Sequence, residues 1–146
     1  MVIGVGSAAE LRGQVVGVHD GDTLTLLTPA QERVRIRLAE IDAPEARQPW
    51  GTRARQALAA MAFRRDARVD VVDLDRYGRT VGRVWIGPLD VSAELVRQGH
   101  AWVYRRYSRD PALLALEVEA RKGRRGLWRL PEIERVPPWE WRRQNR

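Results

Sequence analysis

The chain has no cysteine, which excludes disulfide staples, thiolate metal sites and cysteine nucleophiles together. Histidine is almost as scarce: His19 and His100 are the only two, too few for a histidine-rich metal centre. Long apolar runs are missing as well. Nothing approaches the roughly 18 uncharged apolar residues that a membrane-spanning helix needs, and no basic segment of the kind that opens a secretory leader stands at the start. No repeat or low-complexity tract interrupts the 146 residues, a length that suits one domain with one core.

Basic charge is abundant. Lys122 is the lone lysine among 26 basic residues, and the balance against 19 acidic ones leaves +7. A charge of that sign points to a polyanionic partner, nucleic acid first. A GC-rich genome would produce the same arginine-for-lysine skew without selection for binding, so composition alone does not choose. With 44% apolar and 31% charged residues the chain is of the soluble globular class.

Periodicity predicts strands from Gln14 onward: Val15, Val16 and Val18, a tight turn at Asp20-Gly21, then Thr23 to Leu27. Arg33 to Leu38 alternates strictly, with Val34, Ile36 and Leu38 toward a core and three arginines on the other face. Gly51 to Phe63 reads as a helix, Arg68–Asp73 and Thr80–Ile86 as strands, Asp90–Gln98 as a short helix and Ala101–Tyr104 as a strand. Asp110 caps a last helix that has Pro111 at its first position and runs to Lys122. This order does not alternate as a parallel α/β sheet would. It suits an α+β fold, a small mixed barrel with helices packed outside, and five-stranded oligonucleotide-binding (OB-fold) barrels have this size. Residues 1–11 read as a poorly ordered leader, 12–130 as the barrel domain and 131–146 as a tail outside the packed core.

Four segments carry chemistry: Asp20–Thr23, Arg37 with Asp42–Glu45, Asp75–Arg79, and Tyr104–Tyr107. Asp22, at the first hairpin, and Asp42, at the end of the third strand, are the hard oxygen ligands that calcium prefers, and a loop carbonyl would add a third. Two carboxylates leave coordination positions open for water and a substrate phosphate. Glu45, one short loop on, can hold the attacking water as general base. Charge developing on phosphorus calls for guanidinium groups aimed at its oxygens, for which Arg37 and Arg79 are the candidates. Each element has a plainer reading: a turn at Asp20–Thr23, a solvated strand residue at Arg37, a helix-entry loop at Asp42–Glu45, and a surface ion pair between Asp75 and Arg79. Trp85, Trp102 and Trp128 read as core or core-edge residues rather than base-stacking ones.

Taken together, Val-His-Asp-Gly-Asp-Thr, then Arg-Leu-Ala-Glu-Ile-Asp-Ala-Pro-Glu, then Asp-Arg-Tyr-Gly-Arg, followed by Glu94–Gly99 and Gly126-Leu127-Trp128, resemble the staphylococcal (thermonuclease-type) nucleases over roughly Gln14 to Trp128. The resemblance implies a five-stranded OB-fold barrel with three packed helices. It also implies calcium-dependent, sugar-non-specific hydrolysis of DNA and RNA at the P–O5′ bond, leaving 3′-phosphate ends. Carried over by residue, it implies Asp22, Asp42 and the backbone carbonyl of Ala43 as calcium ligands, with Asp20 beside them. Glu45 becomes the general base, Arg37 and Arg79 the phosphate-binding arginines, and Arg76, Tyr77 and Tyr107 substrate contacts. Single-stranded or frayed nucleic acid is the expected partner, with no membrane, a monomeric state, and export to periplasm or medium. Two departures stand out. The Glu45–Gly51 loop is short, and Arg105 stands where a nucleotide-contacting tyrosine is usual, unless Tyr104 takes its place. The competing expectation is a catalytically inactive OB-fold nucleic-acid-binding module, against which the joint presence of Asp22, Arg37, Asp42, Glu45 and Arg79 speaks.

Overall fold

The computed structural model describes residues 9–146. Its first strand, β1 (Ala9–Asp20), is long enough to serve two neighbours: Ala9–Gln14 pair with β5 (Asp66–Leu74), and Gln14–Asp20 pair with β2 (Thr23–Leu27). The strand changes partner beside Gly13, where a β-carbon would fall 2.2 Å from the Leu27 carbonyl oxygen, so only glycine fits. Register slips at Val15/Gly17 and Val18/Asp20 add the curvature a closed barrel requires. Strand β3 (Arg33–Leu38) pairs with β2, and it closes the barrel by running parallel to β6 (Thr80–Ile86), with Ile36 opposite Thr80. β5 pairs with β6 to complete five strands, and the short β7 (Leu89–Asp90) extends the β6 edge.

The alternation expected of β3 holds for the core: Ile36 and Leu38 are buried with Val15, Leu24, Leu26, Val69 and Val84. Helix α1 (Gly51–Ala62) covers the barrel with Ala54, Leu58 and Ala62, four residues apart on one face. Helix α2 (Val91–Arg97) starts at Asp90, whose carboxylate accepts from the Ala93 amide at 3.2 Å. Helix α3 (Pro111–Lys122) starts at Asp110, which accepts from the Ala112 amide at 2.9 Å, as the Asp-Pro signal predicts. Strands β4 (Ile41–Asp42) and β8 (Trp102–Val103) form a separate two-stranded ladder. Behind it Trp102 meets Trp128 edge to face, with ring centroids 5.1 Å apart.

Three differences from the sequence reading matter. Residues 1–8 of the expected leader lie outside the described residues, and Ala9–Leu11 are strand, recruited by β5. Trp85 is half-buried on the barrel wall, where its indole N–H donates to Asp70, rather than in the core. The stretch after Pro131 was expected to stay unpacked. Instead it contains α4 (Pro138–Gln144), which begins at buried Pro138 and lays Trp139 flat on Tyr104, with centroids 5.4 Å apart and planes 6° from parallel.

Candidate active site

The β1–β2 hairpin has a two-residue loop, Gly21-Asp22, because Asp20 pairs directly with Thr23. Asp20 Oδ1 accepts from the Asp22 amide at 3.0 Å, which shapes the turn and sends the Asp22 carboxylate inward. There Asp22 Oδ2 accepts from the Ala43 amide at 2.7 Å, tying the hairpin to the loop after β4. Gly21 is required at this crossing: a β-carbon would lie 2.7 Å from the Ala54 β-carbon and 2.8 Å from that of Ala43. Asp42 is fixed by the ladder to Trp102, and its side chain is only 2% exposed.

Arg37 leaves β3 toward the same point. The alternation suggested a solvent-facing arginine, yet its side chain is 12% exposed, unlike the exposed Arg33 and Arg35. Its Nη1 donates to the carbonyls of Leu38 (2.8 Å) and Ile41 (3.0 Å). Its Nη2 lies 3.2 Å from Asp42 Oδ1 and 3.4 Å from Asp22 Oδ2. One guanidinium thus bridges the two carboxylates predicted as metal ligands.

The acids outweigh this cation. Burial, followed by the charge of Asp22, pushes the Asp20 carboxyl up to about 7. Burial likewise lifts Asp42 to about 6, against the pull of Arg142 and Arg37. Carboxyls that resist ionisation because negative charge is crowded in a dry place make a seat that favours a further cation. Among the described residues no three His, Cys, Asp or Glu side chains form a metal-holding group. An ion here would therefore rely on two carboxylates, the Ala43 carbonyl, water and substrate oxygens.

A further cation is supplied by the chain itself. Arg142 of α4 grips Asp42 with both nitrogens, Nη2 to Oδ2 at 2.7 Å and Nη1 to Oδ1 at 3.1 Å, and Nη1 also donates to Glu45 Oε1 at 2.7 Å. Glu45 and Asp42 therefore converge on one group. The short loop expected to be a departure is what fixes Glu45. Gln48, buried within it, accepts from the Glu45 amide at 3.1 Å and donates to the Val136 carbonyl, so the loop also anchors the C-terminal arm. Gly51 closes the loop, since a β-carbon there would sit 2.0 Å from the Glu45 carbonyl oxygen.

The remaining predicted residues stand apart from the acids. Asp75 accepts from the amides of Tyr77 and Arg79 and from Arg79 Nε at 2.7 Å, forming a clasp across the β5–β6 turn. Burial works to raise the Asp75 carboxyl, but these bonds from Arg79 and Tyr77 hold it below its ordinary value. Arg76 and Arg79 both lie over the exposed Tyr77 ring. The turn adjoins Arg37 through the Ile36–Thr80 pairing, but the Arg79 guanidinium is engaged by Asp75. Tyr107 is exposed and meets Tyr104 edge to face at 4.9 Å. Arg105 is drawn away by buried Glu117, which leaves Tyr104 beside the acids, its hydroxyl 3.4 Å from Arg142. Arg142, Trp139 and Gln48 were not singled out as site residues from the sequence, whereas Tyr104 was, as the tyrosine that could stand in for Arg105. The available signal was a helix start at Pro137-Pro138 followed by Trp139 and Arg142 on one face. A cleft of about 750 Å³ between Arg12, Pro29 and Trp85 contains none of these groups.

Residues 35–130 match the family of the staphylococcal nuclease homologues. The chain is 51% identical to protein ParB of Escherichia coli, over 99% of its own length and 86% of that protein. It is 41% identical to a micrococcal nuclease of Shigella flexneri, covering all of this chain and 88% of that protein. An uncharacterised endonuclease of Escherichia coli O157:H7 is 40% identical over 94% of this chain and 88% of its own length.

Proposed function

The chain belongs to the staphylococcal nuclease family and is a phosphodiester hydrolase of nucleic acid, and from that premise we propose that it uses calcium to break the P–O5′ bond of DNA and RNA, acting on single-stranded or frayed segments and leaving 3′-phosphate ends. The observation that carries this reading is the convergence of Asp22 and Asp42 on Arg37, with Glu45 joined to Asp42 through Arg142. Asp22, Asp42 and the Ala43 carbonyl form a hard-oxygen donor set. It already attracts a cation, the Arg142 guanidinium, onto Asp42. Calcium bound there would offset phosphate charge and orient the substrate.

The protein groups perform the remaining work. Glu45 takes a proton from water as the water oxygen joins phosphorus in line, and the 5′ oxygen leaves on the far side. Arg37, held by two carbonyls and two carboxylates, is pre-aimed and loses little freedom when it meets a phosphate oxygen. Arg79 is the second phosphate arginine in this reading. Asp20 keeps the Asp22 turn in shape, and Arg76, Tyr77 and Tyr107 offer exposed cationic and aromatic surface to the flanking nucleotide. Cleavage of a 5′-labelled single-stranded DNA, with calcium and with chelator, tests the proposal. Calcium-dependent fragments ending in 3′-phosphate are expected; 3′-hydroxyl ends, or equal cleavage in chelator, overturn it.

A further inference from the structure

The C-terminal arm places a cation on the Asp42 oxygens that the proposed metal needs. Arg142 takes both oxygens of Asp42 and one of Glu45. Asp42 Oδ1 is at the same time within 3.2 Å of Arg37. A carboxylate has about four lone-pair positions, and three of the contacts on Asp42 come from guanidinium nitrogens. A divalent cation approaching the open side of Asp42 must displace Arg142, the partner whose own side chain is 37% exposed, rather than Arg37 at 12%.

The arm is seated by specific contacts. Trp139 stacks on Tyr104, Gln48 holds the Val136 carbonyl, and Pro138 is buried. The other basic residue of α4, Arg143, turns away to pair with Glu140. Arg142 is thus the one residue of α4 whose charge reaches the acids, and Trp139 covers one ring face of Tyr104.

We propose that the arm is a built-in latch: Arg142 occupies the metal seat in the metal-free enzyme, and a divalent cation binds by exchanging with it. The proposal rests on the calcium reading above. Exchange releases α4 and uncovers the Tyr104 face, so the metal seat and the nucleotide platform open in one event. A latch seated about nine-tenths of the time weakens apparent metal affinity about tenfold, since only the open fraction binds.

The test is calorimetric titration of calcium into the full chain without substrate. Arg142→Ala is expected to lower the calcium Kd about tenfold or more. Trp139→Ala, which leaves Arg142 in place but unseats the arm, should lower it in the same direction. Arg143→Ala removes an equal charge from the same helix without touching the acids and should leave the Kd at the wild-type value. Calcium binding that is measurable in all forms but no tighter in Arg142→Ala overturns the latch alone and makes Arg142 a phosphate contact instead. An equal gain in Arg143→Ala also overturns it, by reducing the effect to net charge. Absence of calcium binding in every form overturns the calcium reading and the latch with it.

Discussion

Asp42 and Glu45 hold the same guanidinium, yet their surroundings separate what each can do. The Asp42 side chain is 2% exposed and Glu45 is 31% exposed. A metal ligand gains from burial because the ion then meets a strong field. A general base needs contact with water and a route for its proton. Glu45→Gln tests this division cleanly, because the amide oxygen can still accept from Arg142 while the group can no longer take a proton. Turnover should fall about 10²–10⁴-fold, with the thermal midpoint unchanged, as single-turnover kinetics and calorimetry would read. A variant that lost only substrate affinity would make Glu45 a binding group and leave the base to be found elsewhere.

The hairpin β1–β2, helix α1 and the loop after β4 meet at Gly21, where there is no space for a methyl group. The atoms facing it are the β-carbons of Ala54 and Ala43, which are fixed by backbone and cannot swing aside. Gly21→Ala should therefore cost about 1–3 kcal/mol by overpacking, seen as a lower urea midpoint. It should also weaken calcium binding, since Ala43 carries a proposed ligand and is tied to Asp22. An unchanged midpoint would mean that the hairpin and helix part easily. The local signals at this scale were legible: the Asp-Gly turn, the alternation of β3, and the Asp110-Pro111 helix start each act within a few residues. So was most of the acid cluster, because its members fall in short runs at strand ends. What the sequence hid was settled by distant partners. Ala9–Leu11 become strand only because β5 is beside them, Arg105 is diverted by Glu117, and Arg142 reaches Asp42 across 100 positions of chain. No periodicity records contacts of that kind.

Across the whole molecule, net charge and local charge have opposite signs. A chain of net charge +7 gathers Asp20, Asp22, Asp42 and Glu45 at one place, faced by Arg37 and Arg142. The surface draws polyanions in, while the acid pocket would repel a phosphate unless a cation intervened. That conflict has a stability consequence that can be given a sign. Asp20 titrates at about 7 in the folded protein, lifted first by burial and then by Asp22, against an ordinary value of 3.8. The folded state therefore binds this proton more tightly than the unfolded state, so the contribution is fully present below the ordinary value and is lost as pH rises toward the folded one. The metal-free thermal midpoint should fall between about pH 4 and pH 7. Asp20→Asn keeps the oxygen that accepts from the Asp22 amide but removes the titration, so it should flatten that slope without reshaping the turn. Saturating calcium should reverse the slope in the wild type, because the ion binds the ionised acids and adds stability in proportion to its occupancy. A midpoint that fell equally in Asp20→Asn would move the effect to Asp42, whose carboxyl is raised to about 6 by the same burial. Asp20 would then be left as a turn residue alone.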